Sequence, residues 1–381
     1  MNNLHIIASE FKNASRVLKQ TKSLVNSEVV DNVYIAALHL EGLEKEVNYG
    51  DKRELKRFSL RSRKLSKFFL VQLIKYVEFC ISIYFHYKNK NVGMVNIHNL
   101  SMLPLGVLLK YRYNAILIYD AHELEAERNG LIGVRKKISK WIEKTLIKYV
   151  DMTIVVSESI ADWYEEKYDI QRPVVVLNSP KKRVINKKNI FREELSIRDD
   201  QKILIYQGGL FHGRGINLIL DAFKSRIADG IVVVFMGYGG LEKEIKDAAA
   251  QYPNIFFFPA VNPDVVLEYT SSADVGLSLI ENTCLSYYYC MPNKLFEYSM
   301  VGLPVLVSNM KDMSEMVISN NMGVVVDNYT SIAINKAIDT FLNKDLDVMK
   351  ENAYRAACEN SWEVQEKKML NAYHVLLKYK V

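Results

Sequence analysis

The sequence predicts an α/β protein made of two doubly wound, mainly parallel sheets, one in each half of the chain. Three observations predict this. Short apolar runs alternate with longer helical patterns, the alternation breaks once at a polar, basic stretch and then restarts, and 381 residues suit two domains of ordinary size. At 49% hydrophobic and 25% charged residues, the composition supports two cores rather than a disordered tract.

In the first half the apolar runs fall at 4–8, 33–37, 94–97, 115–119, 152–156 and 174–177. Most are β-branched and poor in charge, as strands covered on both faces are. The segment 68–87, FFLVQLIKYVEFCISIYFHY, has the length of a membrane span, but Gln72, Lys75, Glu78 and His86 interrupt it. Each charge held in hydrocarbon would cost roughly 2–3 kcal/mol, so a core helix is expected instead. Asn178-Ser179-Pro180 is a turn signal, and the basic PKKRVINKK follows it. The expected domains are therefore 1–180 and 181–381. Strand patterns resume at 202–206, 231–236, 254–259, 275–280, 304–308 and 323–326, and a long helical stretch closes the chain from Ser361. Ligands of such sheets bind beyond the carboxyl ends of the strands, so chemistry is sought in the loops there.

Cys80, Cys284, Cys290 and Cys358 form no CxxC pair, and no histidine stands at zinc-ligand spacing. They read as reduced, mostly buried thiols of a cytoplasmic protein. The amino terminus, MNNLHIIASEF, has no basic and then apolar signal pattern.

Three motifs follow strands. The first, YQGGLFHGRG at 206–215, runs from a strand into a glycine-rich loop and a helix start. Glycines Gly208 and Gly209 admit close approach of an anion, the helix amino terminus offers free N–H groups, and Arg214 adds a fork suited to phosphate. A tight turn with a solvated arginine is the plainer reading. The second, PNKLFEY at 292–298, places Asn293 and Lys294 in a first helical turn, where negative charge is favoured. Glu297, one turn on, is suited to accept from both hydroxyls of a ribose, or else it balances the helix dipole. In the third, YDAHEL at 119–124, His122 follows a strand end, placed either to meet a sugar or phosphate or to cap a loop. No GxSxG elbow supports a hydrolase.

Taken in order, Ser15-Arg16-Val17, YDAHELEAER at 119–128, YQGGL and GRG at 206–215, Ser272-Ala273-Asp274-Val275 and PNKLFEY with GLPV at 292–305 resemble the retaining glycosyltransferases of family 4. The resemblance spans nearly the whole chain and is of the bacterial surface-polysaccharide type. It implies the GT-B fold, two Rossmann-like domains facing across a cleft, with the last helix, about 361–381, packing back on the first. It also implies a metal-independent transfer from a nucleoside-diphosphate sugar. Arg214 and Glu297 would contact diphosphate and ribose, and His122 would lie beside the transferring sugar, so His122 and Glu297 are the expected catalytic residues. Gly208, Gly209, Arg214, Asn293, Lys294 and Glu297 are the expected donor-binding set. No cofactor or metal is expected. Asp345-Leu346-Asp347 spells DxD but lies in a late polar helical region.

This chain departs from the family in three places. Tyr289 stands eight residues before Glu297, where relatives often carry a second glutamate, so Glu281 and Tyr289 become possible sugar contacts. Gly209 stands where an arginine is common, and Lys294 is expected to supply that charge. The loop after the first strand is Ser9-Glu10-Phe11-Lys12-Asn13 rather than a glycine pair.

The net charge of +6 is modest, but it is unevenly distributed. Lys52, Arg53, Lys56, Arg57, Arg61, Arg63, Lys64 and Lys67 crowd one stretch, and Lys136, Lys140, Lys144 and Lys148 fall at i,i+4 spacing near Trp141. Like charges on one helix face repel, so an anionic membrane surface is the expected partner of 52–67 and 136–148. No motif for nucleic acid accompanies them. The expected function is transfer to a lipid-linked or polysaccharide acceptor, for an O-antigen or capsule type of glycan, by a peripheral enzyme at the inner face of the cytoplasmic membrane. The alternatives are a nucleotide-sugar 2-epimerase of the same fold and an inactive sugar-binding module.

Overall fold

The structure, a computed structural model, describes residues 1–12, 14–66, 68–227 and 229–380. Lys67 of the basic stretch and Asn13 of the loop after the first strand lie outside the described residues. The chain divides into two compact units, one formed by Met1–Val176 with Glu366–Val381 and the other by Leu177–Gln365.

The first unit carries β1 (Asn2–Ile6), β2 (Asn32–Leu38), β3 (Glu46–Asn48), β4 (Arg53–Phe58), β5 (Val92–Ile97), β6 (Ile116–Asp120), β7 (Met152–Val155) and β8 (Val174–Val175). They form one sheet in the order β3-β4-β2-β1-β5-β6-β7-β8, parallel except for the β3–β4 pair. Helices α1 (Ser15–Asn26), α2 (Phe69–Tyr87), α3 (Leu103–Tyr113), α4 (Gly133–Leu146) and α5 (Glu158–Tyr168) lie between the strands in the chain. Along β1 the alternation of side chains sets Leu4 and Ile6 on one face and Asn3 and His5 on the other, all fully buried.

The second unit carries β9 (Lys202–Gly209), β10 (Ile231–Tyr238), β11 (Ile255–Pro259), β12 (Val275–Ser278), β13 (Val305–Ser308) and β14 (Gly323–Val326), in the order β11-β10-β9-β12-β13-β14 and all parallel. Both faces of this sheet are covered. Leu204, Tyr206, Val233 and Phe235 join one apolar cluster, while Ile203, Ile205, Val232 and Val234 join another. This is why its strands read as continuous apolar runs rather than alternating ones.

Two expectations require correction. The basic stretch is not a uniform charged surface, because β4 runs through it and alternate side chains turn inward. Arg53 is buried on Asp51, Thr21 and the Leu18 carbonyl, and Arg57 donates to the carbonyls of Glu10, Phe11 and Glu44. Lys56 pairs with Glu46, and Arg63 with Glu10. Lys52, Arg61 and Lys64 remain exposed. On α4, Lys136 and Lys140 both clasp Glu127, at 2.7 and 2.5 Å.

The 68–87 segment is a helix, but only one stripe of it, Phe79, Ile83 and Tyr87, is buried. The opposite stripe of Leu73, Val77, Ile81 and Phe85 is 44–59% exposed. Among the described residues no helix is long and apolar enough to cross a membrane. The four cysteines form no disulfide among the described residues and are half-buried rather than buried. Asp345 caps its helix by accepting from the N–H groups of Asp347 and Val348.

Candidate functional site

In the second unit, β9 ends in the glycine loop and helix Ile216–Lys224 follows it. Gly215, at φ +77°, is the N-cap, and a Cβ there would stand 1.9 Å from the Leu279 carbonyl oxygen, so no other residue fits without moving the strand end. Glu281 braces the same turn. Its carboxylate accepts from the Gly215 N–H at 3.2 Å, and its own N–H donates to the Gly213 carbonyl at 3.0 Å. Glu281 thus holds the loop.

Helix Asn293–Met300 begins at Pro292 and carries Asn293, exposed, and Lys294, buried. The Lys294 ammonium lies 3.6 Å from the centre of the Tyr206 ring, has no hydrogen-bond partner, and has its Cε near the position a Gly208 side chain would take. Burial first, and then the neighbouring charge of Arg214, push its pKa well below the usual lysine value. Arg214 is half-buried with its guanidinium 4.7 Å from the Tyr287 ring centre. Burial likewise raises the Cys290 thiol, to about 12, so it is an uncharged neighbour rather than a nucleophile. A buried ammonium without a hydrogen-bond partner among the described residues and a half-buried guanidinium thus lie close to one glycine loop, an arrangement suited to an anion.

Glu297 is not free. Its carboxylate accepts from Gln207 Nε2 at 2.5 Å, and Thr270 Oγ1 donates to Gln207 Oε1 at 2.7 Å. The Gln207 N–H in turn donates to the Tyr298 hydroxyl. Gln207, Thr270 and Tyr298 therefore set the carboxylate's direction. The structure brings Gly208, Lys294, Arg214, Glu297 and Glu281 together around β9 and the two helix starts. Tyr289 stacks obliquely on Tyr288, with Lys311 5.6 Å from its ring centre.

The first unit holds a second polar cluster, at the carboxyl ends of β1, β5 and β6. Asp120, fully buried, takes a forked ion pair from Arg16, whose Nη2 stands 2.7 Å from Oδ1, and accepts from Gln20 Nε2 at 3.0 Å. His98 Nδ1 and His122 Nε2 each lie 3.1 Å from Asp120 Oδ2 and 3.2 Å from each other. Behind them His5 Nδ1 meets His98 Nε2 at 2.9 Å, and Asn3 Nδ2 meets His5 Nε2 at 3.2 Å. Burial opposes ionisation of Asp120, but Arg16 and the histidine contacts overcome it and hold its pKa well below the carboxylate range. Burial also lowers the pKa of His98 and of His5, so both rings are neutral at pH 7.

His98, Asp120 and His122 are the one group of described residues whose ligand atoms cluster tightly enough to hold a metal ion. The donor set fits a cation poorly. Oδ2 already receives Gln20 and lies 3.1 Å from Arg16 Nε, and the adjacent guanidinium cancels the charge a metal would seek. The sequence reading singled out His122 alone here. Arg16 lies in a segment that carries the family resemblance, but His98 and His5 carry no local signal beyond being polar residues in apolar surroundings, and only the strand order brings the three together.

Residues 187–357 match the family described as glycosyl transferases group 1, a little under half of the chain. No curated protein matches. Solved structures align along the whole length at low identity. Sucrose-phosphate synthase (tll1590) from Thermosynechococcus elongatus aligns with TM-score 0.82 at 15% identity, covering 100% of both chains. WaaG, a glycosyltransferase involved in lipopolysaccharide biosynthesis, aligns with TM-score 0.71 at 16% identity, covering 97% of this chain and 99% of that one. Anabaena Alr3699/HepE in complex with UDP-glucose aligns with TM-score 0.75 at 12% identity, covering 98% and 100%. The chain therefore has the GT-B fold, and its stretch 187–357 is similar to the glycosyl transferases group 1 domain.

Proposed function

We propose that this protein is a retaining, metal-independent glycosyltransferase that moves a sugar from a nucleoside-diphosphate sugar to a lipid-linked or polysaccharide acceptor. The observation that carries the reading is the buried, unpartnered ammonium of Lys294 beside Arg214 at the glycine loop. A pyrophosphate supplies the hydrogen-bond acceptor that the buried ammonium lacks. As the glycosidic bond breaks, negative charge grows on the leaving diphosphate, and two fixed cations in a dry site stabilise that charge more than the ground state. They thereby serve the purpose for which other enzymes recruit a divalent ion. Glu297, aimed by Gln207, accepts from the ribose hydroxyls. His122 attends the transferring sugar. In a retaining transfer the acceptor hydroxyl attacks from the leaving group's own face and gives its proton to a phosphate oxygen. That HepE binds UDP-glucose in the same fold makes a uridine donor the first to test.

The acceptor side is proposed to be a membrane surface. The bare stripe of α2 and the exposed Ile132, Val134 and Trp141 around α4 form apolar ground, and Lys52, Arg61, Lys64, Lys137, Lys144 and Lys148 are exposed cations of the same unit. On this reading the protein works peripherally at the inner face of the cytoplasmic membrane, on a cell-surface glycan.

The test is transfer of labelled sugar from UDP-glucose, and from other nucleotide-sugars in turn, to a lipid extract, with and without EDTA. Labelled lipid formed equally with EDTA, with the donor's anomeric configuration retained, is the expected result. Isomerised donor in the absence of acceptor would instead make the protein an epimerase, and nucleotide binding without any turnover would make it a binding module.

A further inference from the structure

We infer that His98 is a positioning residue for His122, acting with Asp120 to fix the His122 proton on Nε2 and leave Nδ1 open to the sugar. The inference rests on the reading that His122 attends the transferring sugar, and it deepens that reading with a set of buried partners.

The argument follows the protons. Asp120 is ionised and accepts only, because Arg16 is paired with it. A neutral imidazole has one N–H to give. His98 Nδ1, 3.1 Å from the Asp120 oxygen, must therefore carry its proton there, since a lone pair facing that oxygen would be repelled. His98 Nε2 is then an acceptor, and His5, 2.9 Å away, must present Nδ1–H to it. His5 Nε2 becomes an acceptor in turn and faces the Asn3 amide group at 3.2 Å. One carboxylate thus polarises a chain of two buried rings and an amide, all within 0% exposure.

His122 joins the chain at its open end. Its Nε2 lies 3.1 Å from the same oxygen, where a lone pair would be repelled, so Nε2 carries a proton and gives it to Asp120 beside the His98 N–H, 3.2 Å away. Its ring is about one-third exposed, and Nδ1 has no hydrogen bond among the described residues. Nδ1 is therefore the ring nitrogen that faces outward, toward a sugar hydroxyl. A buried polar chain this long is costly to build, and Asn3 Oδ1 and Gln20 Oε1 are left without a partner among the described residues, a cost that agrees with a positioning task. It also explains why β1 and β5 carry Asn3, His5 and His98 where apolar residues would pack more cheaply.

Two conservative variants separate the role from mere packing. Asn in place of His98 keeps a donor near the Nδ1 position, whereas Gln keeps one near Nε2. His98→Asn should retain kcat within about threefold, and His98→Gln should lower it at least about tenfold with donor KM little changed. Nitrogen-15 spectra of histidine-labelled protein, taken without substrate, should show the His122 ring shifts kept in His98→Asn and altered in His98→Gln. Equal activity in both variants with unchanged His122 shifts would overturn the inference, and so would an equal loss in both with those shifts unchanged. Should neither variant fold, the wild-type spectrum decides. His98 and His5 in the Nδ1–H tautomer, which free histidine disfavours, support the inference, and Nε2–H at His98 overturns it. His122→Ala is the separate control. Unimpaired transfer there removes His122 from the chemistry, while the tautomer result still stands or falls alone.

Discussion

The polar clusters of the two units are built on opposite principles. In the first, every charge is answered within the protein: Asp120 has Arg16, Gln20 and two imidazoles, and His98 has His5 behind it. In the second, among the described residues, Lys294 is buried with no hydrogen-bond partner, and Arg214 lies over the face of the Tyr287 ring. A saturated cluster holds a side chain still, whereas an unsaturated one waits for a ligand. On the proposed reading, ligand binding falls to Lys294 and Arg214, and orientation to the histidine cluster.

The largest expected effect breaks the unsaturated cluster. Arg214→Met combined with Lys294→Met should lower kcat/KM for the donor by about 100-fold or more, because each charge-assisted hydrogen bond contributes about 1.5–3 kcal/mol. A loss below about fivefold in steady-state kinetics would dismiss the pocket. Next in size, His122→Ala should lower kcat about tenfold or more, roughly 1.4 kcal/mol of transition-state stabilisation, with a smaller change in KM. A pure KM effect would move His122 from the transferring sugar to ground-state binding.

A subtler effect is linkage to protons. The Lys294 pKa is held well below the usual lysine value by burial and by Arg214, so the free protein has a neutral amine above that lowered pKa. A bound diphosphate favours the ammonium. Donor binding should therefore take up a proton, and affinity should weaken as pH rises through the lowered value. Calorimetric titration in buffers of different ionisation enthalpy checks this, and Lys294→Met should lose the uptake. Smallest is the surface effect. Val77→Asp with Ile81→Asp, both on the exposed stripe of α2, should reduce flotation with anionic liposomes while leaving stability within about 1 kcal/mol. Unchanged flotation would point to the exposed lysines instead.

Much of the fold was legible because parallel strands covered on both faces appear as apolar runs, and every run expected in the sequence overlaps a strand. β4 escaped because its inward residues include Arg53 and Arg57, whose charges are answered by sequence-distant backbone carbonyls and, for Arg53, by Asp51 two residues away. The α2 helix was misjudged because apolar composition alone does not say which stripe is covered. In the second unit the loop glycines and Lys294 could be found locally, since glycine and a helix start leave marks in the sequence. Gln207 and Thr270, which aim Glu297, leave none, because they become neighbours only when β9 and the 266–270 helix are set side by side.

The central claim is that the buried cations at the glycine loop hold a diphosphate. Titration of UDP, GDP and ADP, each against its parent nucleoside, into wild type and into Arg214→Met/Lys294→Met tests it directly. At least one diphosphate should bind wild type far more tightly than its nucleoside does, and the double variant should erase that difference. A diphosphate that binds both proteins alike, or none that outbinds its nucleoside, would contradict the account.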